Sequence, residues 1–207
     1  MARNDRSIII AICGIDGSGK STMIERLRGE PSFRDAGFLK KVDRDDFDRV
    51  IELNQPIGPM PQAYLEGPLA TSIRWAHGFD YLRHYETVVQ PLTRQHPILV
   101  SDRWAFCPIA FASVGTNLSA EISFLLRHVD QPDLTIFLDA DPDVASARLV
   151  ARGPVFDDEH IDLLRAYRRA YEAFFASYSG AWVRVASTTP EQTYRDARSA
   201  IKQRLAL

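Results

Sequence analysis

The sequence predicts an α/β fold, a three-layer α/β/α sandwich around a mainly parallel five-stranded sheet, with a small lid. Three observations predict it. Ile8-Ile9-Ile10-Ala11-Ile12-Cys13 is apolar throughout and mostly β-branched, the pattern of a strand buried on both faces of a parallel sheet. Similar runs recur at Ile98–Val100, Leu134–Leu138 and Trp182–Ala186, with a weaker one at Phe38–Val42. The intervals between them are long enough for crossover helices. A length of 207 residues fits one domain spanning 1–207, with the lid at about 150–158.

Each element has its own signal. A helix begins near Lys20, directly after the first strand and a glycine-rich turn. From Asp158, apolar residues at Ile161, Leu164, Tyr167, Tyr171, Phe174, Phe175 and Tyr178 form a helical stripe that ends at Gly180. This stripe reads as core. Thr189-Pro190 opens a last helix with proline in its first turn. Residues 54–68 hold Pro56, Pro59, Pro61 and Pro68 with Gly58 and Gly67, which predicts a surface loop or a cover over a site.

Composition narrows the function classes. The net charge of −2 provides no basic field for a nucleic-acid polymer. The first apolar run is too short to span a membrane, and two cysteines, Cys13 and Cys107, are too few for a disulfide framework. A cytoplasmic location is the expectation. The five histidines form no metal-ligand spacing with the cysteines or with each other.

The strongest motif follows the first strand: Gly14-Ile15-Asp16-Gly17-Ser18-Gly19-Lys20-Ser21-Thr22, which satisfies G-x-x-x-x-G-K-[ST] in full. Glycines let the backbone turn tightly so that amide N–H groups point at a polyphosphate. The helix N-terminus adds positive potential. Lys20 neutralises β/γ-phosphate oxygens and the Ser21 hydroxyl reaches Mg²⁺. GTPase-type N-K-x-D readers are absent and the chain is short, which favours a compact kinase. A second constellation ends the Ile98 strand: Ser101-Asp102-Arg103 places an acid and a base at the sheet's carboxyl edge, where α/β folds bind ligands. Asp102 is placed for Mg²⁺, and Arg103 for an acceptor phosphate.

With these residues assembled, the chain resembles the thymidylate kinases, P-loop kinases that move the ATP γ-phosphoryl to dTMP. The loop looks like their G-[IL]-[DE]-G-x-G-K-[ST]. Glu86–Leu92 followed by Ser101-Asp102-Arg103-Trp104 is similar to their helix and D-R-[YH] stretch. Ala105-Phe106 and Ala110-Phe111 resemble the residues after that motif. Pro132–Asp139 resembles their P-D-L-T-x-x-L-D strand, and Ala186 with Pro190-Glu191 their adenine-side turn. The resemblance implies ATP and Mg²⁺ as cofactors and a small-molecule nucleotide or nucleoside-like acceptor. It implies Asp16 on the acceptor sugar 3′-hydroxyl, Arg103 on the acceptor phosphate, and Arg148 and Arg152 as arginine fingers at the lid. It also implies a homodimer.

Three departures concern the acceptor. The family's base-reading arginine corresponds to Tyr81, for which Arg74 or Arg83 is a candidate substitute. The R-x-P-G-type turn is replaced by Val42-Asp43-Arg44-Asp45-Asp46-Phe47-Asp48, an acidic cluster that repels a phosphate monoester, although Arg44 is within reach of one. Ala112 stands where the family offers a polar side chain. The acidic turn supports an alternative, a hydroxyl kinase acting on a nucleoside, sugar or antibiotic with Asp43 or Asp45 as base. The competing reading of the same acids is a solvated helix N-terminus.

Overall fold

In the computed structural model, residues 7–40, 42–43, 45–54, 66–156 and 159–205 are described. Among them a five-stranded sheet runs β2-β3-β1-β4-β5, with β1 at Ile8–Cys13, β2 at Gly37–Leu39, β3 at Ile98–Asp102, β4 at Leu134–Asp139 and β5 at Trp182–Ala186. Every pairing is parallel. The expected strand at Phe38–Val42 begins one residue earlier and stops at Leu39. It is an edge strand whose pairing ends at Leu39 opposite Ser101, and its charged continuation at Lys40 does not extend the ladder.

Alternation along the strands sorts side chains into two cores. Ile9, Ala11, Cys13, Leu99 and Phe137 face one layer of helices, whereas Ile10, Ile12, Val100, Ile136 and Leu138 face the other. The first layer contains α3 (Gly67–His84), α5 (Phe106–Phe111) and α8 (Ile161–Ser177). α1 (Lys20–Arg28) and α9 (Pro190–Leu205) cover the second. Among the described residues the other α-helices are α2 (Asp45–Asn54), α4 (Gln90–Thr93), α6 (Ser119–Leu125) and α7 (Pro142–Arg152). The stripe predicted to run to Gly180 leaves helical geometry at Tyr178, whose backbone is extended. Tyr171 and Phe175 on that stripe are fully enclosed, as expected of core.

Between α3 and α4 the chain makes a π-helical turn at Tyr85–Val89, with the Gln90 amide donating to the Tyr85 carbonyl. Pro91 accounts for it. Pro91 has no N–H to return to the Thr87 carbonyl, and its ring crowds that carbonyl, so the helix widens.

The register positions the site. β1 lies between β3 and β4 with Ile12 opposite both Asp102 and Ile136. The turn after Cys13 and the turn after Asp102 therefore leave the sheet side by side, at its carboxyl edge.

Candidate active site

The glycine-rich turn has the backbone its sequence requires. Gly14, Gly17 and Gly19 all have positive φ, at 146°, 78° and 92°. At Gly17 an added Cβ would sit 2.4 Å from the Ala145 carbonyl oxygen of α7, so the loop is pressed against a neighbouring helix and only glycine fits. Lys20 is buried inside this turn. Its ammonium donates to the carbonyls of Gly14 (3.1 Å) and Ile15 (2.9 Å) and lies 3.5 Å from Asp16 Oδ1.

Arg103 closes the turn from the β3 side. Its Nη2 donates to Asp16 Oδ1 at 2.7 Å, and its Nη1 donates to the Gly14 carbonyl and the Tyr171 hydroxyl, both at 2.9 Å. Tyr171 in turn donates to Cys107 Sγ at 3.2 Å. Asp16 thus holds two cations, Lys20 and Arg103, on one carboxylate oxygen. Arg103 also has φ of 75°, a left-handed conformation costing about 1–3 kcal/mol for a bulky residue. It is held there by its own amide donating to the Ile12 carbonyl and by Ser101 Oγ donating to its carbonyl. The sequence stripe holding Tyr171 was expected to be core only. Its hydroxyl is also a partner of Arg103, a role that apolar periodicity does not reveal.

Asp102 Oδ1 is buried and has no hydrogen-bond partner among the described residues. An orphaned carboxylate oxygen is costly unless a cation or water completes it. Ser21, in the first turn of α1, adds a hydroxyl oxygen. Hard oxygen donors beside a phosphate cradle suit Mg²⁺, which takes one or two protein ligands and fills the rest with phosphate and water. The residues present therefore fit that ion.

Arg148 and Arg152 are each held by protein partners. Arg148 Nη1 donates to Ser187 Oγ (2.8 Å) and the Gly17 carbonyl (3.2 Å), and Nη2 donates to the Thr188 carbonyl (2.7 Å). It forms one wall of a pocket that also includes Ser18, Thr22, Thr188 and Tyr194, between the glycine-rich turn and α9. Arg152 is held by Glu159 at 2.7 Å, which also accepts the Phe156 amide. Ser187 lies within the adenine-side turn marked by Ala186 and Pro190-Glu191, whereas no motif flags Tyr194 in the sequence. Of the expected lid, residues 157–158 lie outside the described residues.

On the acceptor side the substitute base readers are accounted for. Arg74 is buried, with Nε and Nη2 donating to the Val114 carbonyl (3.2 and 3.1 Å) and Nη1 to Tyr167 (3.4 Å). Arg83 is engaged by Asp80 (2.7 Å), Asp45 (3.3 Å) and Asp46 (3.5 Å). Asp80 Oδ1 and Oδ2 accept the backbone amides of Asp46 and Phe47, each at 3.0 Å, and so cap α2 from α3. Tyr81 is buried edge-on to His77, with ring centroids 5.2 Å apart. Asp45 is an exposed first-turn residue of α2. The acids are thus a helix start, which is the bland reading, and the hydroxyl-kinase alternative is not favoured. Asp43 is exposed beside them, and Arg44 lies outside the described residues. Cys13 and Cys107 are buried, and burial pushes both thiols up, so neither is a ready thiolate.

The thymidylate kinase family matches residues 75–197, from α3 through the Asp102-Arg103 turn into α9. A probable thymidylate kinase of Pyrobaculum aerophilum is 33% identical over 199 residues, covering 94% of this chain and 96% of the relative. The thymidylate kinase of Maridesulfovibrio salexigens is 25% identical, covering 96% of each chain. The structure of the Candida albicans thymidylate kinase shares the fold, with a TM-score of 0.67 at 20% identity over 96% of this chain and 92% of that one. On the family match and the near full-length relative, the chain belongs to the thymidylate kinase family.

Proposed function

We propose that the chain phosphorylates dTMP with ATP, giving dTDP and ADP. The observation that carries this reading is the meeting of Arg103 with the glycine-rich turn through Asp16 and the Gly14 carbonyl. A guanidinium delivered to a triphosphate cradle by the adjacent strand is suited to hold a second phosphate there. The bond from the γ-phosphorus to the β–γ bridging oxygen breaks. A new bond forms to an oxygen of the acceptor phosphate, and ADP takes the electron pair.

In this reading Gly14, Gly17, Ser18, Gly19 and Thr22 shape the donor side, and Lys20 leaves its loop carbonyls to meet the donor's phosphate oxygens. Asp102 and Ser21 would hold Mg²⁺, which, when bound, offsets phosphate charge. Arg103 keeps the acceptor phosphate in line, and Asp16 accepts from the acceptor sugar hydroxyl. Arg148 supports the donor base rather than the transferring phosphoryl, because it is tied to Ser187 and Thr188. Arg152 begins the lid at 150–158. Base recognition falls to the aromatic pair His77 and Phe111, since Arg74 and Arg83 are occupied.

Several further features fit the same reading. No described helix is long and apolar enough to cross a membrane, and the cytoplasmic location in this proposal rests on the family likeness. The homodimer that the family resemblance implies is kept as part of this proposal. ADP release with Mg·ATP against dTMP, other nucleoside monophosphates and unphosphorylated nucleosides tests the assignment. Turnover on dTMP is expected. Turnover confined to nucleosides would overturn it.

A further inference from the structure

Three buried polar atoms around Arg103 have no oxygen or nitrogen partner: Arg103 Nε, the Tyr81 hydroxyl, which lies beside the Cys107 sulfur, and His84 Nε2. All three residues line one small cleft between α3 and the start of α5, which Ser101, Tyr85 and apolar groups such as Val42, Trp104 and Val129 also line. Its volume, about 10 Å³, is the room of one water-sized sphere. Lone orphaned polar atoms are a cost, yet three that converge on one space of this size share a remedy.

We propose that this cleft holds one ordered water that fixes the Arg103 guanidinium from behind. The donor and acceptor count closes. Arg103 Nε–H can only donate, so the water accepts from it. The Tyr81 hydroxyl supplies the second donor, and the water donates one of its own protons to His84 Nε2. Burial pulls the His84 imidazole down and pushes the Tyr81 phenol up, so the first stays a neutral acceptor and the second a neutral donor. Three partners is the usual complement of a buried water. Asp16, Gly14 and Tyr171 hold the two Nη atoms from the front, and the water holds Nε from the rear. Tyr81, at the position where the family carries an arginine, is then a positioning residue for Arg103.

The functional half of this proposal rests on the reading of Arg103 as the acceptor-phosphate residue, whereas the water itself does not. The test is a crystal structure at a resolution that orders solvent, of the wild type and of Tyr81→Phe, with acceptor and ATP kinetics on both and on His84→Leu. The expected result is density for one water within hydrogen-bond distance of all three atoms, lost in Tyr81→Phe. The dTMP KM should rise about 2- to 10-fold in either variant, the worth of one hydrogen bond, with kcat and the ATP KM within about 2-fold. A mere packing defect would lower thermal stability without this split. A dry cleft in the wild type, or an unchanged dTMP KM in Tyr81→Phe, overturns the proposal. A hydrated cleft with an Arg103→Ala enzyme that keeps its dTMP KM overturns the role of Arg103 instead, and with it the positioning role of Tyr81.

Discussion

Arg148→Ala separates two meanings of an arginine beside a phosphate loop. In the structure this guanidinium makes two short hydrogen bonds, to Ser187 Oγ at 2.8 Å and the Thr188 carbonyl at 2.7 Å, and a longer one to Gly17 at 3.2 Å. These join α7 to the glycine-rich turn and the turn before α9, and they shape one wall of the donor-side pocket. The side chain is partly open to water, so each short bond is worth about 1 kcal/mol, and their joint loss about 2 kcal/mol. Where the whole cost of re-forming that wall falls on ATP binding, this is an increase of at most about 30-fold in the ATP KM, with kcat within about 3-fold. The assay is steady-state ADP release with dTMP saturating and ATP varied. An arginine that instead stabilises charge in the transition state supplies about 10³–10⁵ in kcat. A kcat loss of that size with the ATP KM unchanged would refute the base-side placement.

Three other perturbations probe separate parts of the account. Gly17→Ala forces a methyl toward the Ala145 carbonyl at a φ of 78°, and it should abolish detectable ATP binding by calorimetry while far-UV circular dichroism stays native. Asp80→Ala removes both amide acceptors at the start of α2 and the partner of Arg83, and should cost about 2–4 kcal/mol in denaturant unfolding. Glu30 accepts hydrogen bonds from Arg198 and Tyr194, and chiefly the Arg198 bond holds its carboxyl below its ordinary 4.5. Its contribution is therefore present above 4.5 and lost as pH falls through the lower folded value. Glu30→Gln should have a lower Tm than wild type at neutral pH, and the gap should close on acidification below 4.5.

Much of this architecture is legible in the residues, for physical reasons. Double-faced burial writes continuous apolar runs, so β1, β3 and β4 announce themselves, whereas β5 and β2 lie at the sheet's edges, β5 legible from its β-branched residues around exposed Arg184 and β2 short and marked weakly. The glycine-rich turn is legible because its backbone tolerates few side chains. Asp102-Arg103 stands out because it ends a strand. What stays hidden are partnerships between distant segments. Nothing in the spacing pairs Tyr171 with Arg103, Glu159 with Arg152, or Asp80 with the amides of α2. The family resemblance, which implies a finger role for Arg148, does not reveal its contacts with Ser187 and Thr188, which form only once β4 and β5 lie side by side. The wide turn at Tyr85–Val89 was written in Pro91, but a lone proline equally signals a helix end.

The central claim is that Arg103 recognises the acceptor's phosphate. Isothermal titration of dTMP and of thymidine into the wild type and Arg103→Ala measures it directly. The account predicts that dTMP binds the wild type more tightly than thymidine does, and that Arg103→Ala removes most of that difference while leaving thymidine affinity nearly unchanged. Equal preference for dTMP in both proteins would contradict it.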